Sequence, residues 1–167
     1  TAVEVFGGVD ILVNNIGRAF VGTVVDTSEE DWDRALAINL RTAFLASKYA
    51  VPRMVERGGG SIVNVSSISA VRGDGTVAYS AAKGGIAALT LVQAVEMERY
   101  GITVNCLAPA ARTAMTEGAM PDMVKKPASG FDVWDPVNVA SIVVWLGSPL
   151  SARVTGLCFE AKGGELS

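Results

Sequence analysis

Residues 9–15 read Val9-Asp10-Ile11-Leu12-Val13-Asn14-Asn15, a short and almost continuous apolar run that stops at two amides. A strand with one wet face alternates apolar and polar side chains, whereas a strand covered on both faces need not. The run therefore predicts a strand buried on both faces, whose natural home is a parallel sheet between helices. Downstream, Ser28 with Asp31 three residues later reads as a capping box, and Trp32, Leu36, Asn39, Leu40, Phe44 and Ala46 to Lys48 continue at helical spacing toward Met54. Pro52 is expected to kink or thin the last turns, and Gly58-Gly59-Gly60 to end that helix. A second strand is predicted at 61–65, then a Ser/Gly-rich loop, a helix over 78–99 closed by Gly101, and a third strand over 102–107. Pro136 stands where a first-turn proline belongs, opening a helix through Trp145, and Gly156 precedes a fourth strand over 157–160. Strands alternating with long helices imply right-handed crossovers, hence an α/β, doubly wound parallel sheet with helices on both faces. The stretch 116–135, rich in Met, Gly, Pro and Lys and without a clear period, reads either as a lid or as an ordinary surface connection.

Composition narrows the chemistry. The chain has 167 residues, 50% hydrophobic and 19% charged, with a formal net charge of −3 and no histidine. This suits one globular domain able to bury a core without disulfides or metals. Without histidine, Ser-His-Asp and Cys-His catalysis and histidine-ligated zinc are ruled out, so proton transfer falls to Tyr, Lys, Asp, Glu or Cys. The scattered charges, with a single basic pair at Lys125-Lys126, speak against a nucleic-acid surface. No apolar stretch approaches the ~20 residues of a membrane span, and no leader pattern opens the chain. Cys106 and Cys158, lying in apolar runs, are expected to be reduced core thiols of an intracellular protein. The chain opens at Thr1 rather than Met and reaches its first strand almost at once, as a fragment or a processed chain would.

Tyr79 and Lys83, in the stretch YSAAK, stand four apart near the start of a predicted helix and so share one of its faces. One reading is a half-buried tyrosine beside a solvated lysine. The other is a tyrosine acid/base whose phenolate is favoured by the neighbouring ammonium and the helix dipole. Moving a tyrosine from pKa ~10 to ~7 takes about 4 kcal/mol, and one cation near ~4 Å at an effective dielectric near ~20 supplies about that much. Spacing alone decides little, since Tyr49 is followed at the same interval by Arg53 and Tyr100 by Val104. More telling is the company at the strand ends: Asn14-Asn15-Ile16-Gly17 after the first strand, Ser66-Ser67 after the second, Pro109-Ala110 after the third. Open α/β sheets bind their ligands at the carboxyl ends of the strands.

Taken together, NNIG at 14–17, Asn39 in AINL, NVSS at 64–67 and YSAAK at 79–83 resemble the classical short-chain dehydrogenase/reductase family over almost the whole chain, and the separations between these motifs agree with it. The resemblance implies a catalytic tetrad of Asn39, Ser67, Tyr79 and Lys83. Tyr79 would exchange a proton with the substrate oxygen, Ser67 would orient that oxygen, Lys83 would lower the tyrosine pKa and hold the nicotinamide ribose, and Asn39 would support a water relay behind Lys83. It also implies NAD or NADP as cofactor, with Asn15, Gly17, Tyr79, Lys83, Pro109, Ala110 and Thr113 as cofactor-binding residues. Ala110 replaces the family's glycine and restricts positive φ there; Thr113 reads equally as a helix cap before Ala114. The tail from Asp135-Pro136 to the final glycines, with ARTAMTE at 111–117, resembles the subset acting on 3-hydroxyacyl-CoA and hydroxysteroids.

By the same resemblance, residues 1–167 form a single partial NAD(P)-binding Rossmann-fold domain, the C-terminal portion only, with the first three strands and the glycine-rich phosphate turn absent. The expected partners are a small-molecule alcohol or carbonyl substrate and a second copy, in a homodimer or homotetramer formed through the two long helices, with no nucleic acid and no membrane; the expected location is cytoplasmic. Two functions stay open: an oxidoreductase of which this is one part, inactive as it stands, or a noncatalytic remnant that only associates. An epimerase or dehydratase of the same superfamily is a third, since Tyr-x-x-x-Lys recurs there.

Overall fold

The computed structural model describes residues 1–72 and 76–167; the middle of the expected Ser/Gly-rich loop, 73–75, lies outside the described residues. A one-turn helix α1 (Ala2–Phe6), capped by Thr1, leads into strand β1 (Ile11–Asn14). Helix α2 (Glu29–Leu36) starts at Ser28, whose side chain accepts from the Asp31 amide, and passes through a π-helical turn, Ala37–Arg41, into α3 (Thr42–Arg57). Then come β2 (Gly60–Val65), α4 (Val77–Met97), β3 (Ile102–Ala110), α5 (Ala114–Ala119), α6 (Val137–Leu146), β4 (Cys158–Lys162) and the two-residue β5 (Glu165–Leu166). The sheet order is β1-β2-β3-β4-β5, parallel from β1 to β4, with β5 antiparallel beside β4.

Helices cover both faces, as expected for the doubly wound class. On one face Ile62, Ile102 and Val104 meet Met54 of α3 and Ala94 of α4. On the other, Val63, Leu107 and Ala161 meet Leu146 of α6, with Trp145 edge-on to Phe159 at 6.1 Å. Each fully buried aliphatic side chain here contributes roughly 1.5–3 kcal/mol of transfer free energy.

Several expectations need correction. β2 is buried on both faces, but β1 is not: it borders the sheet, and Ile11 and Val13 remain 49% and 41% exposed. The helix ends at Arg57 before the glycines, as expected, with Pro52 inside it, but a π turn the sequence does not announce interrupts it upstream. Pro136 caps α6 rather than occupying its first turn. The glycine run does more than end α3. Gly58 takes the left-handed cap at φ 87°, while a Cβ on Gly59 or Gly60 would come within 2.8 Å of the Gly101 or Asp10 carbonyl; glycine lets β2 enter between its neighbours. Of the two cysteines only Cys106 is in the core, and Cys158, first residue of β4, is exposed. The third strand continues to Ala110, so Pro109 and Ala110 are ladder residues opposite Ala161 and Lys162 rather than residues beyond its end; β4 supplies a partner that the sequence of β3 alone does not reveal.

Candidate active site

Four strand ends and the first turns of α4 converge on one rim. Lys83 enters it from α4 almost wholly buried, 3% exposed, with Nζ donating to the Val65 carbonyl at the end of β2 (2.7 Å). Burial pulls its pKa down to about 8, opposed by the charge interaction with Cys106. The amine stands over the Tyr79 ring, 5.7 Å from its centroid. The two serines point to opposite sides, as consecutive residues of extended backbone do. Ser66 is buried and donates to the Lys83 carbonyl (2.7 Å), bolting β2 to α4. Ser67 is partly exposed, and its Oγ accepts the Ser69 amide (3.2 Å) in capping the short turn 68–70.

Asn39 is fully buried in the π turn, a helix irregularity frequent at functional sites. Its carboxamide accepts from Arg18 N and donates to Arg18 O and Ala35 O, each at 3.0 Å. Both amide hydrogens are therefore committed, and the side chain holds the loop after β1 in place. That loop passes very near Lys83: a Cβ on Gly17 would lie 2.9 Å from Asn39 Oδ1 and 3.2 Å from Lys83 Nζ. Gly17 has an ordinary φ, so glycine is needed for the close approach.

Asn15 is exposed beside this loop, whereas Asn14 turns inward. Asn14 donates to Asn64 Oδ1 (2.8 Å) and Ser47 Oγ (3.3 Å), and Asn64 continues to Thr90 and Gln93. Ala110 has no positive φ, so the alanine is unstrained in β3. Thr113 caps α5 in a reciprocal pair with Thr116, realising the cap reading of that residue. Beyond it, the aperiodic stretch is anchored. Arg112 pairs with Asp132, both largely buried, donates to Val124 O (3.1 Å), and donates its backbone N–H to Trp134 O (2.7 Å). Their mutual hydrogen bonds hold the Asp132 carboxyl below the usual carboxylate range and push the Arg112 guanidinium up.

A groove of about 460 Å³, lined among others by Val24, Ala70, Val71, Thr76, Val77 and Ser80, opens beside the start of α4. It flanks Tyr79 in sequence, and none of Asn39, Ser67, Tyr79 and Lys83 lines it. The four tetrad candidates lie at this rim, whereas the buried hydrogen bonds of Asn14 and Ser66 and the Arg112–Asp132 clasp, made to residues remote along the chain, are not legible in the sequence. Among the described residues no cluster of His, Cys, Asp and Glu could hold a metal, and no helix is long and apolar enough to cross a membrane.

The family model described as enoyl-(acyl carrier protein) reductase matches residues 1–165. The chain is 39% identical over 171 residues to a 3-alpha-(or 20-beta)-hydroxysteroid dehydrogenase of Mycobacterium tuberculosis, covering 100% of this chain and 64% of that protein. It is 39% identical to a hydroxyacyl-CoA dehydrogenase of the same organism, covering 96% of this chain and 54% of the relative. A crystal structure of a short chain dehydrogenase from Mycobacterium avium superposes with a TM-score of 0.85 at 43% identity, over 99% of this chain and 56% of that one. The chain thus spans a little over half to about two thirds of the length of these relatives.

Proposed function

Because this chain belongs to the short-chain dehydrogenase/reductase family, we propose that it supplies the catalytic half of an NAD(P)-dependent dehydrogenase that interconverts a secondary alcohol and its carbonyl compound. The observation that carries this reading is the Lys83 amine, buried against Val65 and set over the Tyr79 ring at the rim where Ser67 follows β2. The rim fits a nicotinamide ribose. Lys83 spends one of its three donors on Val65, and Gly17, lacking a Cβ, lets the loop after β1 close against Asn39 and Lys83 at this rim. Asn15, Gly17, Tyr79, Lys83, Pro109, Ala110 and Thr113 would hold the cofactor, which when bound supplies or accepts the hydride.

In the reducing direction Tyr79 Oη donates its proton to the substrate oxygen, leaving a phenolate beside the Lys83 ammonium that water then reprotonates. Ser67 Oγ donates a hydrogen bond to the same oxygen and fixes its direction. Asn39 acts here as a positioning residue, because its amide is committed to the Arg18 loop. The apolar groove beside α4 and the two dehydrogenase relatives favour a bulky substrate such as a hydroxyacyl thioester or a hydroxysteroid. We read residues 1–167 as one partial cofactor-binding domain. It would assemble as a homodimer or homotetramer, and it would be a weak enzyme alone.

The test is Tyr79→Phe in a chain that carries this sequence with a complete cofactor site. Turnover should fall by about 10²-fold or more with the fold unchanged by circular dichroism. Undiminished turnover across several ketone substrates would reject Tyr79 as the acid/base, whereas no turnover by the unsubstituted protein would leave the association module, which the open edge of β1 favours.

A further inference from the structure

The two cysteines stand directly opposite one another on adjacent parallel strands, Cys106 in β3 against Cys158 in β4. We propose that they form a reversible oxidative pair, entered from the surface at Cys158 and closed as a disulfide with Cys106. This rests on the two thiols alone and not on the proposed activity.

Neighbouring strands run about 4.8 Å apart, inside the Cα separation of about 4.4–6.8 Å that disulfides span. Register partners in a parallel pair project from the same face of the sheet, and here the two side chains interact. Their exposures assign the roles. Cys158 is exposed and Cys106 is 1% exposed, so an oxidant in solution reaches Cys158 first. Burial also holds the Cys106 thiol up at about 12, which keeps it unreactive until a neighbour is oxidised. Closing the bond draws opposed side chains slightly nearer than a relaxed ladder places them. The backbones are already drawn together here: Cys106 N–H donates to the Leu157 carbonyl (2.8 Å) and Gly156 N–H to the Val104 carbonyl (2.8 Å), so closure falls on the side-chain torsions of the two cysteines.

With a low-molecular-weight disulfide as oxidant, the Cys158 thiolate attacks one of its sulfurs and releases one small thiol, leaving a mixed disulfide. Cys106, giving up its proton, then attacks the Cys158 sulfur and expels the second small thiol. Two protein thiols are oxidised by two electrons, and one small disulfide is reduced to two thiols. The second step is slow, because little of Cys106 is thiolate at neutral pH. Closure also has a consequence inward. The Cys106 thiol now interacts with Ser66, whose hydroxyl holds the Lys83 carbonyl, and bonding to Cys158 takes that sulfur toward β4.

The experiment is incubation of the 167-residue chain with excess oxidised glutathione, read by intact mass and peptide mapping. The wild type should lose two hydrogens, yield a linked peptide containing both cysteines, and return to its starting mass with dithiothreitol. Cys106→Ala should stop at the glutathione adduct on Cys158, and Cys158→Ser should stay unmodified. Circular dichroism checks that each variant is folded, with Cys106→Ser as a second substitution if alanine disturbs the core. A wild type that halts at the mixed disulfide, or that forms only intermolecular links, overturns the proposal.

Discussion

Lys83 is held against the preference of its own charge, and that has a measurable price in stability. Its pKa falls from 10.5 to about 8 on folding, so between those values the unfolded chain binds more protons and stability rises with pH. Below about 8 the full penalty of burying the ammonium is present; above the unfolded value it is gone. Lys83→Met should therefore stabilise the fold at neutral pH by about 1–3 kcal/mol, an advantage that shrinks as pH approaches ~10. Urea unfolding at both pH values checks the sign, and a destabilised neutral-pH variant would contradict it. A lysine retained at such cost is more readily explained by chemistry than by packing. At this scale the sequence was informative where residue type and short spacing carry the message. Tyr79 and Lys83 share a helix face within one turn, and Ser67 follows a strand. It was silent where the partner is remote. Asn14 and Asn15 look alike in sequence, yet only Asn14 turns toward Asn64, fifty residues on. Likewise, nothing local shows that the Asn39 amide closes on the backbone of Arg18.

Among the elements, the segment after β3 shows how an aperiodic stretch can still be firmly placed. Arg112 reaches Asp132 and Val124 at once, and Asp132 in turn accepts the Trp134 amide (3.1 Å). The hydrogen bond from Arg112 lowers the Asp132 pKa. The clasp is thus fully present above the ordinary carboxylate value and lost as pH falls through the lowered one. Thermal midpoints recorded from about pH 7 to about pH 3 should drop more steeply for the wild type than for Asp132→Asn, which lacks the titrating group; parallel curves would show that the clasp contributes nothing. The long helices make a second case. Phe44 and Tyr49 on α3 and Leu91, Val92 and Val95 on α4 are 47% to 78% exposed, more apolar surface than helices facing only water need. In the proposed homo-oligomer these faces meet their counterparts, so Leu91→Glu with Val95→Glu should lower the mass seen by light scattering at micromolar concentration. An unchanged mass would place the interface elsewhere. Four strands and the principal helices were legible from apolar runs and glycine or proline punctuation. The π turn around Asn39 was not, since it exists through tertiary hydrogen bonds, and β5 is too short to carry a period.

For the whole molecule, the decisive fact is the position of β1. Its sequence has the near-continuous apolar character of an internal strand, yet among the described residues only β2 pairs with it, and its other edge has no strand beside it among them. Natural edges are protected by charge, proline or a bulge. Between Ile11 and Asn14 there is none of these, and the nearest charge, Asp10, is already engaged by Arg57 at 2.9 Å. The open edge runs beside the Asn15–Gly17 loop, so the same exposure that invites strand pairing leaves the proposed cofactor rim walled on one side. Two outcomes follow for the 167-residue chain. It should self-associate edge to edge, and Val13→Lys, placing a charge at a position already 41% exposed, should suppress that association while leaving the helical circular dichroism intact. It should also bind NAD and NADP poorly, because the residues at this rim address the ribose and nicotinamide, and no glycine-rich turn among them cradles a pyrophosphate. Light scattering of the chain and its Val13→Lys variant, followed by calorimetric titration of whichever is monomeric, separates the two outcomes. Tight, micromolar cofactor binding by a soluble monomer would mean that β1 tolerates its bare edge and that this part of the sheet holds more of the site than its residues indicate.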